Sequence, residues 1–259
     1  MGANGQTILW HIPISHYSEK VRWALDLKGV DHERRAPMPG AHMPIALVLT
    51  RGRHYTLPIL ELDGRRIGDS TAIIAALEER FPEPRLYPED PGERRRALEL
   101  EEWFDEEVGP YMRRFAFHEM RREPEVFDAF ASQAAPEMFA RAGRAAGVFG
   151  RAMTGARYGA RDAEAAERAR EKVLAGLDRL EAELGGREHL VGDGFTVADL
   201  TAAALLYPLV FPPEVDVVAE RLPERYERVV APWRERPAGR WVSEMFRRHR
   251  RRAAAAAAV

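Results

Sequence analysis

The sequence predicts an α/β domain at the N-terminus followed by an all-α domain. Three observations support this fold class. Short apolar runs alternate with helical periods over the first eighty or so residues, the segment FPEPRLYPEDPG carries four prolines in twelve residues, and helical periodicity dominates thereafter. The 259 residues, 46% of them apolar, suffice for two such cores. We therefore expect an α/β domain over 1–81, a linker over 82–92, a helical domain over 93–250 and an alanine-rich tail over 251–259.

Local patterns predict the first elements of the α/β domain. Residues 7–10 form a β-branched and aromatic run typical of a strand, and Pro13 disfavours helix directly after it. A helical period follows from His16 and ends at Gly29. Residues 31–38 then suit a second strand.

The remaining elements of this domain are a short helix, a hairpin and a second long helix. Nearby prolines leave room for only a brief helix over 45–49. Two runs, 56–62 and 65–67, are joined by an Asp-Gly pair, which is a strong hairpin signal. Asp69 and Ser70 then begin a helix. The order predicts a mixed sheet covered by helices.

The second domain reads almost entirely as helix. A proline-rich connection precedes the final element. The expected helices cover 93–117, 124–153, 162–184 and 197–206, with a last one near Trp241.

Composition excludes several functions. The 39 basic residues offset 41 acidic ones, so nothing in the net charge of −2 indicates nucleic acid or an anionic membrane as partner. The chain has no cysteine, which excludes disulfides, cysteinate metal sites and a protein thiol nucleophile, and fits a cytoplasmic protein. No apolar run is long enough to span a membrane, and the beginning, MGANGQT, lacks the features of a signal peptide. The N-terminal histidines lack ligand spacing, so we expect no metal site.

Three segments together resemble the glutathione S-transferase superfamily: ISHYSEKVRWALDLKGV, TLPILELDGRRIGDSTAIIAALEERFPEPRLYP and GDGFTVADLTAAALL. The similarity covers nearly the whole chain in order and spacing. It implies a thioredoxin-like N-terminal domain, a helical C-terminal domain and glutathione as co-substrate. It also implies a hydrophobic electrophile as second substrate and a homodimer.

The resemblance assigns the glutathione-binding residues. Pro58 would be preceded by a cis peptide, and Leu57 would pair its backbone with the cysteinyl part of glutathione. Ser70 would hold the γ-glutamyl carboxylate at a helix N-terminus, with Asp69 assisting at the amino group, although both residues also suit plain capping. For the glycine carboxylate the candidate is His54, with two neighbouring arginines in RGRHYT as alternatives.

The family's catalytic position falls on Ser15, as in its serine-bearing zeta, tau and theta classes. The neighbouring candidates are His16, Tyr17 and Ser18, of which Tyr17 is the main alternative donor. The hydroxyl would stabilise the glutathione thiolate by a hydrogen bond and would not itself attack. The other interpretation is that Ser15 only caps the helix.

Two further expectations concern the helical domain. Thr196 and Asp199 resemble the family's capping box, so we expect a structural role for both. Aromatic and histidine side chains at helical spacing either line the electrophile site or pack in the core: Trp103, Phe104, Tyr111, Phe115 and His118. The alternative to an enzyme is a non-catalytic ligand carrier or protein-interaction module of the same fold.

Overall fold

The computed structural model describes residues 6–38, 40–134, 140–215 and 222–250. The start of the chain and the alanine-rich tail, on which two of the expectations fall, lie outside the described residues. The N-terminal elements follow the predicted order: β1 (Ile8–Trp10), α1 (His16–Leu27), β2 (Glu33–Arg35), α2 (His42–Leu49), β3 (Ile59–Leu62), β4 (Arg65–Gly68) and α3 (Ser70–Arg80).

These elements form the mixed sheet that the sequence predicts. Its strand order is β2-β1-β3-β4, with β1 parallel to β2 and antiparallel to β3, and with β3 antiparallel to β4. The hairpin turn uses Asp63 and Gly64, both at positive φ, as a tight two-residue connection requires. The thioredoxin-like fold class is therefore confirmed.

The rest of the described chain is helical, which confirms the second half of the predicted fold class. The helices are α4 (Pro91–Glu107), α5 (Gly109–Met120), α6 (Pro124–Ala134), α7 (Arg144–Arg157), α8 (Ala163–Leu184), α9 (Val197–Val210), α10 (Glu224–Arg234) and α11 (Pro237–His249). None of the helices in the described ranges is long and apolar enough to cross a membrane.

Three helix predictions were wrong in detail. The expected helix over 93–117 is two helices, because Pro110 has no N–H to continue the ladder and α5 restarts at Gly109. The expected helix over 124–153 is interrupted at Gly143, whose φ of 49° is not helical. The segment expected as a proline-rich connection contains helix α10, which Pro223 precedes as the N-cap residue and which includes Pro232 near its end.

Helix α9 forms the centre of the core. Every residue from Val197 to Leu209 is buried, and the helix packs against α1, α4 and α11. Its N-terminus carries the expected capping box: the Ala198 N–H donates to Thr196 Oγ1, and the Thr196 N–H donates to Asp199 Oδ2 at 2.8 Å. The structural role predicted for this pair is confirmed, and α9 thereby holds α1 against the helical domain.

The domain boundaries themselves stay a prediction. The stretch between α3 and α4, residues 81–90, contains no helix or strand. Pro82 and Pro84 are separated by one residue, and the Glu83–Pro84 peptide is cis. Lys28 at the end of α1 donates to the carbonyls of Phe81 and Pro84, at 2.7 and 3.0 Å, and so fastens this connection to the N-terminal domain.

Candidate functional site

A cavity of about 730 Å³ lies where the ends of the N-terminal elements face α4, α5 and α7. This size falls within the range of small-molecule sites. The leading candidates for contact with glutathione all line it: Ser15, Tyr17, His54, Leu57, Pro58, Asp69 and Ser70. The structure thus brings together positions that are up to 55 residues apart in sequence.

Ser15 is the N-cap of α1. Its Oγ accepts a hydrogen bond from the Ser18 N–H at 3.3 Å, so the capping role is present. A hydroxyl that accepts one bond keeps its own proton to donate. The cap therefore leaves Ser15 a donor, and it lines the cavity.

The loop before Ser15 is held from behind by a buried arginine. The Arg22 guanidinium donates to the carbonyls of Pro13 and Ile12, at 3.0 and 3.4 Å, and pairs with Glu19 at 2.7 Å. Both charged side chains are fully buried, and Arg250 pairs with Glu19 from the far side at 2.6 Å. This network fixes the backbone that presents Ser15.

The three alternative donor candidates next to Ser15 are either hydrogen-bonded within the protein or uncharged. Ser18 is buried and its Oγ accepts from the Ile12 N–H at 3.1 Å. Tyr17 donates its hydroxyl proton to the Asp105 carbonyl at 2.6 Å, and burial raises the pKa of its phenol well above the ordinary value. Burial, with the nearby charge of Arg113, lowers the pKa of His16 to about 3, so that imidazole is uncharged at neutral pH.

The segment before β3 matches the expectation from the family. The Leu57–Pro58 peptide is cis. Leu57 is almost entirely buried, in a small apolar cluster with Ala46 and Ile59. This cluster packs α2 against the sheet and fixes the position of the Leu57 backbone at the cavity wall.

The turn into α3 combines a cap with an unusual backbone. Asp69 has a φ of 75°, a left-handed conformation that is uncommon for a residue with a side chain. Its Oδ1 accepts from the N–H groups of Thr71 and Ala72, at 3.0 and 3.1 Å. Ser70 is buried and lines the cavity at the same N-terminus, where the helix dipole favours an anion.

His54 lines the main cavity, whereas the two nearby arginines do not. The His54 ring packs on Gly68 of β4 so closely that a Cβ there would lie 2.5 Å from its Cδ2. His54 lines the main cavity and also a neighbouring hollow of about 570 Å³. Arg51 and Arg53 line only the neighbouring hollow, which leaves His54 as the member of this group that faces the main cavity.

The apolar end of the cavity is built from side chains that the sequence analysis did not single out. They are Leu98, Phe117, Phe127, Met153 and Tyr158. The Phe117 and Tyr158 rings stack at 5.3 Å between centroids, with 10° between their planes. These side chains give this end of the cavity an apolar, largely aromatic wall.

The helical-domain side chains expected to line an electrophile site do not line this cavity. Phe104 and Phe115 are buried in the core, and the His118 Nδ1 is hydrogen-bonded with the Ala160 carbonyl at 2.9 Å. Trp103 and Tyr111 pack against the core and carry Arg179 and Lys172 over their rings. Helical spacing identified an apolar face, but that face is the one turned toward the core, as the alternative interpretation held.

A buried lysine was missed by the sequence analysis. Lys20 in α1 is fully buried and contacts Glu101 and Asp105 of α4, at 2.9 and 2.7 Å. Asp105 also accepts from the Thr71 hydroxyl at 2.7 Å, which joins α1, α3 and α4. Charge alone gave no signal for this cluster, because 31% of the chain is charged and most such residues lie on solvent-exposed faces.

Comparison with known proteins agrees with this architecture. Residues 9–85 match the glutathione S-transferase N-terminal domain family, and residues 163–236 match the glutathione S-transferase C-terminal domain family. Maleylacetoacetate isomerase of Rattus norvegicus is 37% identical over 101 residues, which are 35% of this chain and 43% of that protein. A probable glutathione S-transferase of Nicotiana tabacum is 24% identical over 193 residues, 74% of this chain and 65% of that one. The chain thus spans less than half the length of the rat protein.

Solved structures show the same arrangement of domains. A glutathione S-transferase of Methylobacterium radiotolerans, determined in complex with glutathione sulfonate, superposes with a TM-score of 0.55 at 26% identity and covers 91% of this chain and 93% of that chain. One from Rhodospirillum rubrum gives 0.54 at 24% identity, over 92% and 91% of the two chains. With the family's two domains matched in order and its fold reproduced over nine-tenths of the length, this chain belongs to the glutathione S-transferase superfamily.

Proposed function

We propose that the protein is a glutathione transferase-like enzyme that activates the glutathione thiolate for attack on a hydrophobic electrophile. One observation carries the proposal. The Ser15 hydroxyl caps α1 as an acceptor, keeps its proton, and lines the same cavity as the N-terminus of α3. Glutathione is a thiol tripeptide with a carboxylate at each end, and the site offers an anion-binding helix start for one carboxylate and a separate hydroxyl donor for the thiolate.

The binding roles follow from the surrounding geometry. The first turn of α3 leaves the Ser70 N–H without an intrahelical acceptor, so this amide and the Ser70 hydroxyl suit the γ-glutamyl carboxylate. Asp69 caps through Oδ1, which leaves Oδ2 for the ammonium group. The Leu57 backbone would pair with the cysteinyl unit, and His54 would meet the glycine carboxylate.

The energy required of Ser15 is modest. A free thiol has a pKa of about 8.5, and lowering it by two units requires about 2.7 kcal/mol. One charge-assisted hydrogen bond contributes about 1.5–3 kcal/mol, and the α1 N-terminus adds to it. The Ser15 hydroxyl therefore suffices as the hydrogen-bond donor to the thiolate, whereas the Tyr17 hydroxyl already donates to the Asp105 carbonyl.

A pair of variants tests this assignment. Ser15→Ala should lose most of its transferase rate at neutral pH with glutathione and 1-chloro-2,4-dinitrobenzene. Tyr17→Phe should keep more of the rate, since it removes a hydrogen bond to the protein and not to the sulfur. Full activity of Ser15→Ala would contradict the proposal.

Calorimetric titration separates the enzyme from the carrier alternative. Millimolar glutathione should bind the wild-type protein with measurable heat. Binding without turnover of any electrophile would support the non-catalytic carrier instead, and no binding would favour a different thiol. The predicted homodimer is tested independently by light scattering.

A further inference from the structure

Arg113 of α5 is a cation in the cavity that has no anionic partner among the described residues. Its guanidinium lies 4.6 Å from the centroid of the Tyr158 ring and 5.8 Å from that of Tyr17. Its Nε is buried and has no hydrogen-bond partner in the structure. Across the described ranges, no carboxylate oxygen lies within 4.0 Å of this side chain. The aromatic faces stabilise the charge but supply no anion to pair with it.

The acidic side chains of the cavity do not serve as its partners. The Asp105 carboxylate accepts from Lys20 and from the Thr71 hydroxyl, and Glu101 pairs with the same lysine. Asp69, Glu102 and Glu106 also line the cavity but are exposed to solvent. The carboxylates are therefore either already paired or hydrated.

The other basic groups of the lining are imidazoles. Burial lowers the pKa of His16 to about 3, and burial with the charge of Arg157 lowers the pKa of His42. Among the lining residues that the structure describes, Arg113 is the one arginine or lysine. It stands beside Tyr158, which belongs to the apolar end of the cavity.

A guanidinium in such surroundings favours an anionic ligand. The buried Nε without an acceptor is unfavourable, and a carboxylate or sulfonate can accept from Nε and from a terminal N–H at once. Arginine is the residue best suited to this bidentate pairing. Phe117 and Tyr158 stack on each other and line the cavity beside it, so that an aromatic ring bound there would meet aromatic side chains.

We propose that Arg113 determines specificity by selecting an aromatic second substrate that carries an anionic oxyacid group, a carboxylate or sulfonate. The ring of that substrate lies against Phe117 and Tyr158, and its anion pairs with Arg113. This inference rests on the proposed function, because it names the class of electrophile that the same cavity accepts.

Two fluorescent probes that differ by one sulfonate test the inference without any turnover. They are 8-anilinonaphthalene-1-sulfonate and its neutral parent N-phenyl-1-naphthylamine, titrated into the full-length protein. The wild type should bind the anionic probe about tenfold or more tightly than the neutral one. Arg113→Gln should bring the two affinities within about twofold of each other, by weakening only the anionic probe.

Matched variants exclude a general effect of charge or misfolding. Arg95→Gln removes one positive charge from an exposed site on α4 outside the cavity lining and should leave the preference unchanged. Arg113→Lys keeps the charge without the planar pair of donors and should retain part of the preference. Circular dichroism would show that each variant is folded.

The inference is overturned if the wild type binds both probes equally, or if folded Arg113→Gln keeps the preference. Should Arg113→Gln fail to fold, displacement of the probe from the wild type decides. 4-Nitrobenzoate must then compete at least tenfold better than nitrobenzene, and equal competition refutes the inference. Because neither probe requires glutathione, a loss of thiolate activation in Ser15→Ala would leave these results unchanged, which separates the two proposals.

Discussion

Lys20 is the residue whose replacement should expose most clearly how the two domains are held together. Its ammonium group is fully buried between Glu101 and Asp105 and donates to the Thr71 hydroxyl at 3.2 Å. Lys20→Met keeps the length of the side chain and removes the charge. It leaves two largely buried carboxylates without a cation, at 1% and 12% side-chain exposure.

The expected loss follows from this geometry. Removing one partner of a buried ion pair costs about 3–5 kcal/mol, because the remaining charge is desolvated and uncompensated. Lys20 serves two carboxylates, so we expect the upper part of this range at neutral pH. Urea unfolding followed by circular dichroism measures it as a lower midpoint.

The effect should depend on pH in a defined direction. Burial, opposed by Lys20, raises the pKa of Glu101 above its ordinary value of 4.5. A raised pKa contributes stability that is complete below the unfolded value and lost as the pH rises through the folded value. In Lys20→Met no cation offsets the cost of ionising Glu101. The difference in the free energy of unfolding between variant and wild type should therefore be small near pH 4.5 and grow toward neutrality.

Two controls make the test specific. Lys172→Met removes an exposed pair with Glu107, whose side chains are 47% and 42% exposed, and should cost less than about 1 kcal/mol. Adding Glu101→Gln to Lys20→Met should recover part of the loss, because it removes one uncompensated charge. A Lys20→Met protein as stable as the wild type at pH 8 would refute the reasoning.

Two smaller changes test the packing and capping assignments. Thr196→Ala should lower the free energy of unfolding by about 1 kcal/mol with activity per folded molecule unchanged, while Thr196→Ser should match the wild type; loss of activity at an unchanged thermal midpoint would contradict the capping role. Gly109→Ala would place a Cβ 2.3 Å from the Tyr17 hydroxyl and should destabilise by about 1–3 kcal/mol in urea unfolding. Gly194→Ala, where a Cβ meets nothing within 4 Å, is its control; equal midpoints for the two variants would show that the contact is not tight.

Local signals predicted most of the N-terminal fold and the start of α9. The Asp63-Gly64 turn, the start of α3 at Ser70 and the capping of α9 by Thr196 are each decided by residues close in sequence. Helical spacing of apolar residues gave wrong helix boundaries where a single residue interrupts a long periodic segment. Pro110 and Gly143 divide helices that apolar spacing alone joins.

The resemblance to a known family, and not any local pattern, predicted which distant residues would meet at the proposed glutathione site. No local pattern supplies the contacts between distant elements. The pairing of Lys20 with Glu101 depends on how α1 meets α4, and the position of Arg113 depends on which face of α5 turns to the cavity. In retrospect, Arg113 and Phe117 share a helix face at a spacing of four residues, which is the one sequence feature that places a charge beside this apolar surface.

The central claim is that the Ser15 hydroxyl stabilises a glutathione thiolate in this cavity. The most direct test is the pKa of the bound glutathione thiol, followed by the ultraviolet absorbance of the thiolate as the pH is raised. In the wild type we expect this pKa to lie about two units below the free value of about 8.5, and in Ser15→Ala to return most of the way toward it. An equal pKa in both proteins, with glutathione bound in each, would contradict the account.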